Sequence, residues 1–423
     1  MESTRALSGD EGGGPPGGEV VDVLARLVGL LLASSGEGAH RIERSTRAVA
    51  AAFGCRASLV MVPEGAVMTV SKGSGRAVTV TVRAVPEVFR LDRVVALKPW
   101  LASVEGGELS VAQAGAGLRR IEEQPAPYPW WVKLIGIVLF SLGFAPLMQP
   151  TWYEIGSTAV LAALAAVLAV TADFVPRLAV LLPLLASTLV SVVTLEVFAT
   201  DAAHGGPVLL MLPALFFFVP GDYLSAAAAE LAAGLMTTGA IRLVYAVFLL
   251  VQLYVGVLLG VALTGSSTRR LFDVVAVADL PRWALFCGWV VFTAGTVLAF
   301  AVPLRLLPVL LGLVYLTVGV QSLVTKAAGE MAGTFVAAVV LAAAANVLGR
   351  RPALPPRLVL ILPGFFTLTV GSLGMRGLTT LAGGHVIAGF TDLLKLVTVV
   401  TAIAVGLTTG AALTARRADL RAA

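Results

Sequence analysis

The sequence predicts an α-helical integral membrane protein with about ten transmembrane helices, preceded by a small N-terminal α+β soluble domain. Of its 423 residues, 58% are hydrophobic and only 13% are charged, and the mean hydropathy is +0.92. A soluble chain of this length cannot bury so much apolar surface. The charges are also uneven, because 28 of the first 130 residues are charged, against 27 of the remaining 293. A polar domain therefore precedes a membrane domain.

The composition argues against several classes of protein. The two cysteines, Cys55 and Cys287, fall in different predicted domains and the three histidines are isolated, so we predict neither a disulfide framework nor a metal site. The excess of positive charge falls in the membrane half, where basic residues mark cytoplasmic loops, so it does not indicate nucleic-acid binding. No apolar segment opens the chain, and no cleaved signal peptide is expected. No cofactor is predicted.

The polar region divides into a tail and a domain. Residues 1–18 are rich in Gly and Pro and are expected to form a disordered tail. Residues 19–123 are predicted to form the α+β domain, in which Ser110 and Gln113 have the spacing of a capping box. No nucleophile, base and orienting group can be assembled there, so we expect a regulatory or assembly role. Short β-branched runs predict a three-stranded meander at 57–62, 66–71 and 77–82.

The membrane domain begins after a linker at residues 124–131, whose Pro and Trp residues suit the lipid headgroup layer. We predict a first five-helix repeat at 132–264, an inter-repeat loop at 265–281, a second five-helix repeat at 282–413 and a tail at 414–423. Each apolar span can cross about 30 Å of hydrocarbon. The spans are predicted at 132–149, 153–173, 177–199, 207–236, 241–264, 282–302, 304–325, 330–349, 357–382 and 386–413.

Two sets of five spans suggest an internal repeat. Four residues of the first set recur 143 positions later: Pro213, Pro220, Gly221 and Gly234 as Pro356, Pro363, Gly364 and Gly377. The last span of each set also carries a pair of glycines four residues apart, which permits close helix approach: Gly256 with Gly260, and Gly406 with Gly410. Because each copy has an odd number of spans, the second copy is inverted relative to the first. Many secondary transporters are built in this way.

Basic residues predict the orientation of the chain in the membrane. Most of those in the membrane half fall on one side, whereas the opposite loops at 150–152 and 200–206 contain neither Lys nor Arg. The N-terminal domain and the C-terminus are therefore predicted to be cytoplasmic, in a multi-pass protein of the plasma membrane. The exceptions lie in and beside the inter-repeat loop: Arg269, Arg270 and Arg282.

Each copy contains a Pro-Gly pair that is expected to open the helical backbone. Pro220 and Pro363 lack an amide donor, and the glycines Gly221 and Gly364 tolerate conformations that a helix forbids. Open backbone at membrane depth must line protein or a water-filled cavity. A half-helix that begins after the break would direct its positive end at a substrate carboxylate. The alternative is a proline kink that only shapes packing.

Two carboxylates follow the first break. Asp222 and Glu230 lie eight residues apart on one broad helix face, and ionisable groups within a span are typical of ion or proton sites. We predict Glu230 as the proton-coupling group, and Asp222 as a helix cap that contacts the substrate and as the second coupling candidate. An interfacial helix with solvated charges is the alternative. Secondary candidates are Arg242 and the pair Asp392 and Lys395, whose i,i+3 spacing favours a structural ion pair.

These motifs resemble the threonine/serine exporter family, bacterial ten-span carriers. The soluble domain resembles the family's helix-gap-helix segment, with Ser35-Gly36 ahead of the triplet Arg41-Ile42-Glu43. The resemblance extends over nearly the whole chain. In the membrane domain the matching residues are Val219-Pro220-Gly221-Asp222 with Glu230, Gly234, Gly239 and Arg242, and then Leu362-Pro363-Gly364.

The resemblance implies a secondary active exporter of L-threonine and L-serine, driven by proton antiport. Relatives that export dicarboxylates make a dicarboxylate exporter the second hypothesis, and a channel or a membrane-bound hydrolase is less favoured. No catalytic residues are predicted. The expected partners are a small amino acid, protons and membrane lipids but no nucleic acid, and a homo-oligomer is compatible with the sequence.

Overall fold

A computed structural model of the chain describes most of the N-terminal region and of the membrane helices. The described residues are 17–33, 38–62, 65–73, 75–83, 90–199, 206–232, 234–268, 271, 280–368 and 386–415, except the side chains of 40, 62, 176, 232 and 386–390. Among them, seven helices are long and apolar enough to cross a membrane, or eight if a bent pair of helices counts as one span.

The described part of the N-terminal region contains four helices and three strands. The helices are α1 Gly18–Ala33, α2 Ala39–Ala52, α3 Leu91–Glu105 and α4 Val111–Glu122, and the strands between α2 and α3 are β1 Arg56–Val62, β2 Gly65–Ser71 and β3 Val78–Arg83. The strands form an antiparallel meander in the order β1-β2-β3. The predicted strands are confirmed within one residue at each end. The capping box of Ser110 and Gln113 is also confirmed at the start of α4.

Strand alternation and helix amphipathicity explain this region. Met68, Val70 and Val80 are buried on one face of the sheet, whereas Thr69 and Thr79 on the other face share a hydrogen bond of 3.0 Å. The buried side chains join the apolar stripes of α1, α2 and α4 in a core that is separate from that of the membrane helices. The boundaries of this domain, like those of the tail and linker, stay predictions.

The remaining helices are apolar. They are α5 Trp130–Phe144, α6 Trp152–Phe174, α7 Pro176–Ala179, α8 Leu182–Val193, α9 Gly206–Leu215, α10 Gly221–Ala232, α11 Met236–Leu263, α12 Arg282–Ala299, α13 Leu307–Ala328, α14 Glu330–Gly349, α15 Arg357–Thr367 and α16 Val386–Leu413. The shorter apolar segments are Leu182–Phe198, which ends in a π-helix, and Arg357–Thr367. The predicted count of ten spans therefore stays a prediction.

Small residues let helices approach closely in both halves of the membrane region. A Cβ added at Gly256 or Gly260 of α11 would collide with Ser187 or Ser191 of α8. The same holds for Gly406 and Gly410 of α16, which lie against Ala338 and Ala342 of α14. The close approach predicted for both glycine pairs is thus observed.

The helix boundaries correct the offset between the halves. Helices α11 and α16 end 150 residues apart, at Leu263 and Leu413. Pro213 and Pro363, also 150 apart, each lie inside a helix, α9 and α15. The predicted offset of 143 is wrong, because it pairs Pro213 with Pro356, which lies before α15. At 150, five glycines recur: Gly221, Gly234, Gly239, Gly256 and Gly260 match Gly371, Gly384, Gly389, Gly406 and Gly410.

Helices α5 and α12 cross at the centre of the membrane region with reciprocal contacts. Gly143 of α5 lies against the backbone of Phe292, and Gly295 of α12 lies against the backbone of Phe140. Both helices run antiparallel, since Gly136 near the start of α5 meets Ala299 at the end of α12. Gly143 and Gly295 are 152 residues apart, and so are Phe140 and Phe292. The two contacts are therefore related as they would be by a two-fold axis.

Phenylalanine side chains fill the space around this crossing. Phe140 lies 4.9 Å from Phe292 between ring centroids, and Phe144 stacks on Phe216 at 3.8 Å. Phe366 of α15 lies edge-on to Phe140 at 5.3 Å. The rings are buried and close-packed, so the middle of the bundle is apolar beside the point where α9 ends.

Candidate functional site

The first Pro-Gly pair interrupts a span, as predicted. Helix α9 ends at Leu215 and a 3₁₀ turn covers Phe216–Phe218, before α10 begins at Gly221 in a direction that differs by 63°. Val219 is extended, with ψ of 122°, as expected for a residue before proline. Pro220 cannot donate an amide hydrogen, so it ends one helix and its carbonyl accepts the first bond of the next, from Leu224 at 3.1 Å.

Asp222 lies in the first turn of the half-helix that follows the break, one residue after Gly221, where α10 begins. The amide of Gly221 is bonded to the carbonyl of Val219 at 2.8 Å. The role of Asp222 as a helix cap stays a prediction. A substrate carboxylate at the start of α10 would meet the negative charge of Asp222, whereas Arg242 on α11 offers a positive charge.

Glu230 and Arg242 form an ion pair at the other end of α10. Glu230 Oε2 lies 3.3 Å from Arg242 Nε, and the two residues are 5% and 8% exposed. Gly234 has a φ of +80° in the turn between α10 and α11, which lets the two helices fold back on each other. Both Glu230 and Arg242 were sequence candidates, but their pairing was missed. Opposite charges that flank a glycine turn could have indicated it.

The second Pro-Gly pair does not open the backbone. Helix α15 runs from Arg357 to Thr367 without interruption and contains Pro363, so the break predicted at Pro363-Gly364 is wrong. A proline ring fits the φ of a helix and removes only one hydrogen bond, which packing can offset. Gly364 serves that packing, because an added Cβ would lie 2.8 Å from both Leu341 and Thr317. The substrate-binding role proposed for this pair stays a prediction.

Asp392 and Lys395 occupy different environments on α16. Asp392 is buried and Lys395 is exposed, although they are three residues apart. Their predicted ion pair stays a prediction. At the offset of 150, Asp392 corresponds to Arg242, so the two halves carry opposite charges at matching positions. Helix α10 packs against both α11 and α16.

A polar cluster that sequence reasoning missed lies between α6 and α9. Gln149 Nε2 donates to Thr158 Oγ1 at 2.7 Å and to the carbonyl of Leu209 at 3.0 Å. That carbonyl has no helical partner, because Pro213 four residues later carries no N–H. Glu154, which accepts a hydrogen bond from Thr151, is fully buried one turn before Thr158. Glu154, the single acidic residue in the first turn of the apolar helix α6, could have indicated this polar cluster from the sequence.

Among the residues that the structure describes, no group of three or more His, Cys, Asp and Glu is placed to hold a metal ion. The ionisable groups of the described membrane helices include the ion pairs Glu230–Arg242 and Lys133–Asp173 and the buried acids Glu154 and Asp392. A buried ion pair beside a broken span is an arrangement found in membrane carriers.

Comparisons with known proteins place this carrier-like fold in a family. The profile of a family described as "Putative threonine/serine exporter" matches residues 23–264, more than half of the chain. The chain therefore belongs to the threonine/serine exporter family, as its motifs predicted. The match covers the N-terminal domain and the helices up to the end of α11.

A curated relative supports the same assignment. A protein of Mycobacterium tuberculosis (strain ATCC 25618 / H37Rv), named "Probable threonine/serine exporter", is 26% identical over 280 residues. The aligned part is 63% of this chain and 51% of that protein, so the chain spans about half the length of the relative it matches. No solved structure matches the chain.

Proposed function

We propose that the protein is a secondary active exporter of small hydroxy amino acids, L-threonine and L-serine, coupled to proton antiport across the plasma membrane. Membership of the exporter family and the name of the relative support the class of protein and of substrate. The observation that carries the mechanism is the broken span at Pro220-Gly221, with two carboxylates on α10 and a buried guanidinium beside them.

The residues of this site suit a zwitterion. Arg242 supplies the positive charge for a substrate carboxylate, and its planar donors fit that group in a bidentate manner. Asp222 supplies a negative charge for the substrate ammonium. In antiport, binding of the substrate and protonation of the coupling carboxylate must exclude each other. Glu230 is the proposed coupling group, since it is the more buried of the two.

The second half has a proposed role as an inverted copy of the first. The reciprocal contacts of α5 and α12, at an offset of 152, and the matched glycines of α11 and α16, at an offset of 150, support an inverted repeat. With ten spans the N-terminal domain and the C-terminus share one side, which the basic residues assign to the cytoplasm. Asp392 and Lys395 are then secondary candidates in the second copy, and lipids surround the exposed apolar faces of the helices.

Transport by purified protein in liposomes tests the proposal. Radiolabelled threonine or serine should accumulate against its gradient when a pH gradient is imposed, and accumulation should collapse when a protonophore is added. Competition with glycine, alanine and succinate defines the substrate class. Preferential uptake of succinate would favour the dicarboxylate exporter, whereas flux that only equilibrates, with an intact pH gradient, would indicate a channel.

A further inference from the structure

The N-terminal domain contacts three separate places on one end of the membrane bundle. Helix α3 and the linker meet the connection between α12 and α13, where the amide of Leu91 donates to the carbonyl of Phe300 at 3.3 Å and the hydroxyl of Tyr128 donates to that of Val302 at 2.8 Å. The side chain of Leu91 is part of the membrane core. The domain is therefore docked on the bundle by polar and apolar contacts.

The second contact is made by Lys98 of α3. Its ammonium donates to the carbonyls of Gly349, Arg351 and Leu354, at 2.8, 2.7 and 2.6 Å. All three hydrogens of the ammonium are used, and the first acceptor lies at the negative end of α14. Lys98 thus fastens the connection between α14 and α15 to the N-terminal domain.

The third contact reaches the candidate site itself. The amide of Ala39, in the first turn of α2, lies 3.4 Å from Glu230 Oε1 in a buried position. First-turn amides have no acceptor within their own helix, and the N-terminal end of a helix attracts negative charge. Glu230 therefore lies between Arg242 on one side and the start of α2 on the other. The N-terminal domain covers the end of α10 at which this carboxylate lies.

We propose that the N-terminal domain is the cytoplasmic gate of the carrier: with the start of α2 on Glu230 and Lys98 on the α14–α15 connection, it closes the inner end of the pathway and must separate from them for substrate to enter. This inference rests on the proposed export function. Alternating access requires the inner ends of the helices to move apart, and the domain ties together three connections at that end. The structure described is then the inward-closed state.

A reversible cross-link tests the gate. The full-length protein carries Cys55→Ala and Cys287→Ser, which remove the native thiols, together with Lys98→Cys and Leu354→Cys. A short, reducible bifunctional thiol reagent joins the two new cysteines. The reagent is as long as the lost lysine side chain. Transport of threonine in liposomes should be lost on cross-linking and recovered on reduction. Each single-cysteine variant, treated with the same reagent, reports the effect of simple modification.

A matched pair within the domain provides the control. Thr69→Cys and Thr79→Cys face each other across β2 and β3 on the sheet face away from its core, so their cross-link should leave transport unchanged. If positions 98 and 354 are fully cross-linked and threonine is still transported at the rate measured without the cross-link, the gate proposal is wrong. The substrate is tested separately on the protein with Lys98 and Leu354 intact: if that protein transports neither threonine nor serine, the proposed substrate fails and the gate is not judged by this assay.

A second experiment measures opening of the gate by cysteine labelling and does not depend on transport. Lys98→Met keeps the length of the side chain but removes its three hydrogen bonds. We expect a cysteine at Ser225, which is buried on α10, to react faster with a polar maleimide added to the cytoplasmic side when Lys98 is replaced. If the cysteine at Ser225 is labelled at the same rate with Lys98 and with Lys98→Met, then the hydrogen bonds of Lys98 do not hold the gate closed.

Discussion

Glu230 combines two properties at the scale of a single residue: it is buried, and it has a cationic partner. Glu230→Gln keeps the size of the side chain and the acceptor oxygen that faces Ala39, but it can neither ionise nor release a proton. We expect counterflow of threonine down its own gradient to persist and pH-driven accumulation to be lost. Accumulation with an unchanged pH dependence would move the coupling role to Asp222 and then to Asp392.

The same substitution leaves Arg242 buried beside a neutral amide. Removing one partner of a buried ion pair costs about 3–5 kcal/mol when the charge is left uncompensated. Thermal unfolding in detergent should therefore accompany the transport assay. The double variant Glu230→Gln with Arg242→Gln is expected to recover part of this loss, because no isolated charge then remains.

Asp222 has two predicted roles, as a helix cap and as a contact for the substrate ammonium, which two substitutions distinguish. Asn caps a helix as well as Asp does, whereas Ala costs about 1 kcal/mol at a cap. Asp222→Asn should thus leave thermal stability nearly unchanged and Asp222→Ala should lower it. Both should raise the KM for threonine at least about tenfold, because a charge-assisted hydrogen bond contributes about 1.5–3 kcal/mol. A normal KM in Asp222→Asn would remove the ammonium contact.

At the scale of elements, Gln149 compensates for a proline in the neighbouring helix. Gln149→Leu leaves the carbonyl of Leu209 without a donor and should cost about 1–3 kcal/mol of stability. Pro213→Ala restores a helical N–H for that carbonyl. We therefore expect Gln149→Leu to lower the free energy of unfolding by about 1 kcal/mol less in the Pro213→Ala background than in the native background, as measured by a double-mutant cycle.

Additive losses in this cycle would show that the two residues act independently. The control is Gln252→Leu combined with Pro213→Ala. Gln252 donates to the carbonyl of Val180, far from Pro213 along the chain and without a shared partner, so its loss should be additive. Chemical or thermal unfolding of the purified variants in one detergent gives all the required values.

The crossing of α5 and α12 predicts matched effects in the two halves. Gly143→Ala and Gly295→Ala each force a methyl group into the backbone of the opposite helix, at Phe292 and Phe140. Overpacking costs about 1–3 kcal/mol, and we expect equal losses of thermal stability at the two sites. Gly312→Ala on α13, where an added Cβ meets open space, should be neutral or slightly stabilising. Clearly unequal losses would contradict the reciprocal contact.

At the scale of the whole molecule, the contacts of the N-terminal domain agree with the predicted orientation. Leu91, Tyr128 and Lys98 meet connections that follow an even number of predicted spans, and these lie on the same side as the N-terminus. Cysteines at Ser103 and Ala415, each introduced without the native cysteines, should resist an impermeant maleimide added to intact cells. Strong labelling at Ser103 would place the domain outside.

A cysteine at Pro150 is the positive control for that experiment. It lies in the connection between the first two predicted spans, opposite the N-terminal domain, and should react in intact cells. All three positions should react once the membrane is permeabilised. A failure to label at 150 in permeabilised cells would mean that the site is sterically protected, and a neighbouring position in the same connection would replace it.

The sequence by itself determined the features that depend on a few neighbouring residues. The three strands follow from β-branched runs and the capping box from Ser110 and Gln113, and both depend only on neighbouring residues. The class of protein follows from the apolar composition of the whole chain. A Pro-Gly pair was not decisive by itself, because Pro220-Gly221 breaks a span whereas Pro363-Gly364 stays helical. The exporter family could be identified from the same local motifs.

Only the tertiary structure decided which distant segments meet. Pro363 remains helical because α13 and α14 pack around Gly364, and the offset of 150 emerges from where helices end. Glu230 acquires Arg242 and Ala39 as neighbours, Gln149 finds the carbonyl freed by Pro213, and Lys98 reaches three carbonyls some 250 residues away. Such contacts depend on which faces of the helices pack together. The spacing of glycine and proline does not reveal this packing, because both residues are too frequent in the chain.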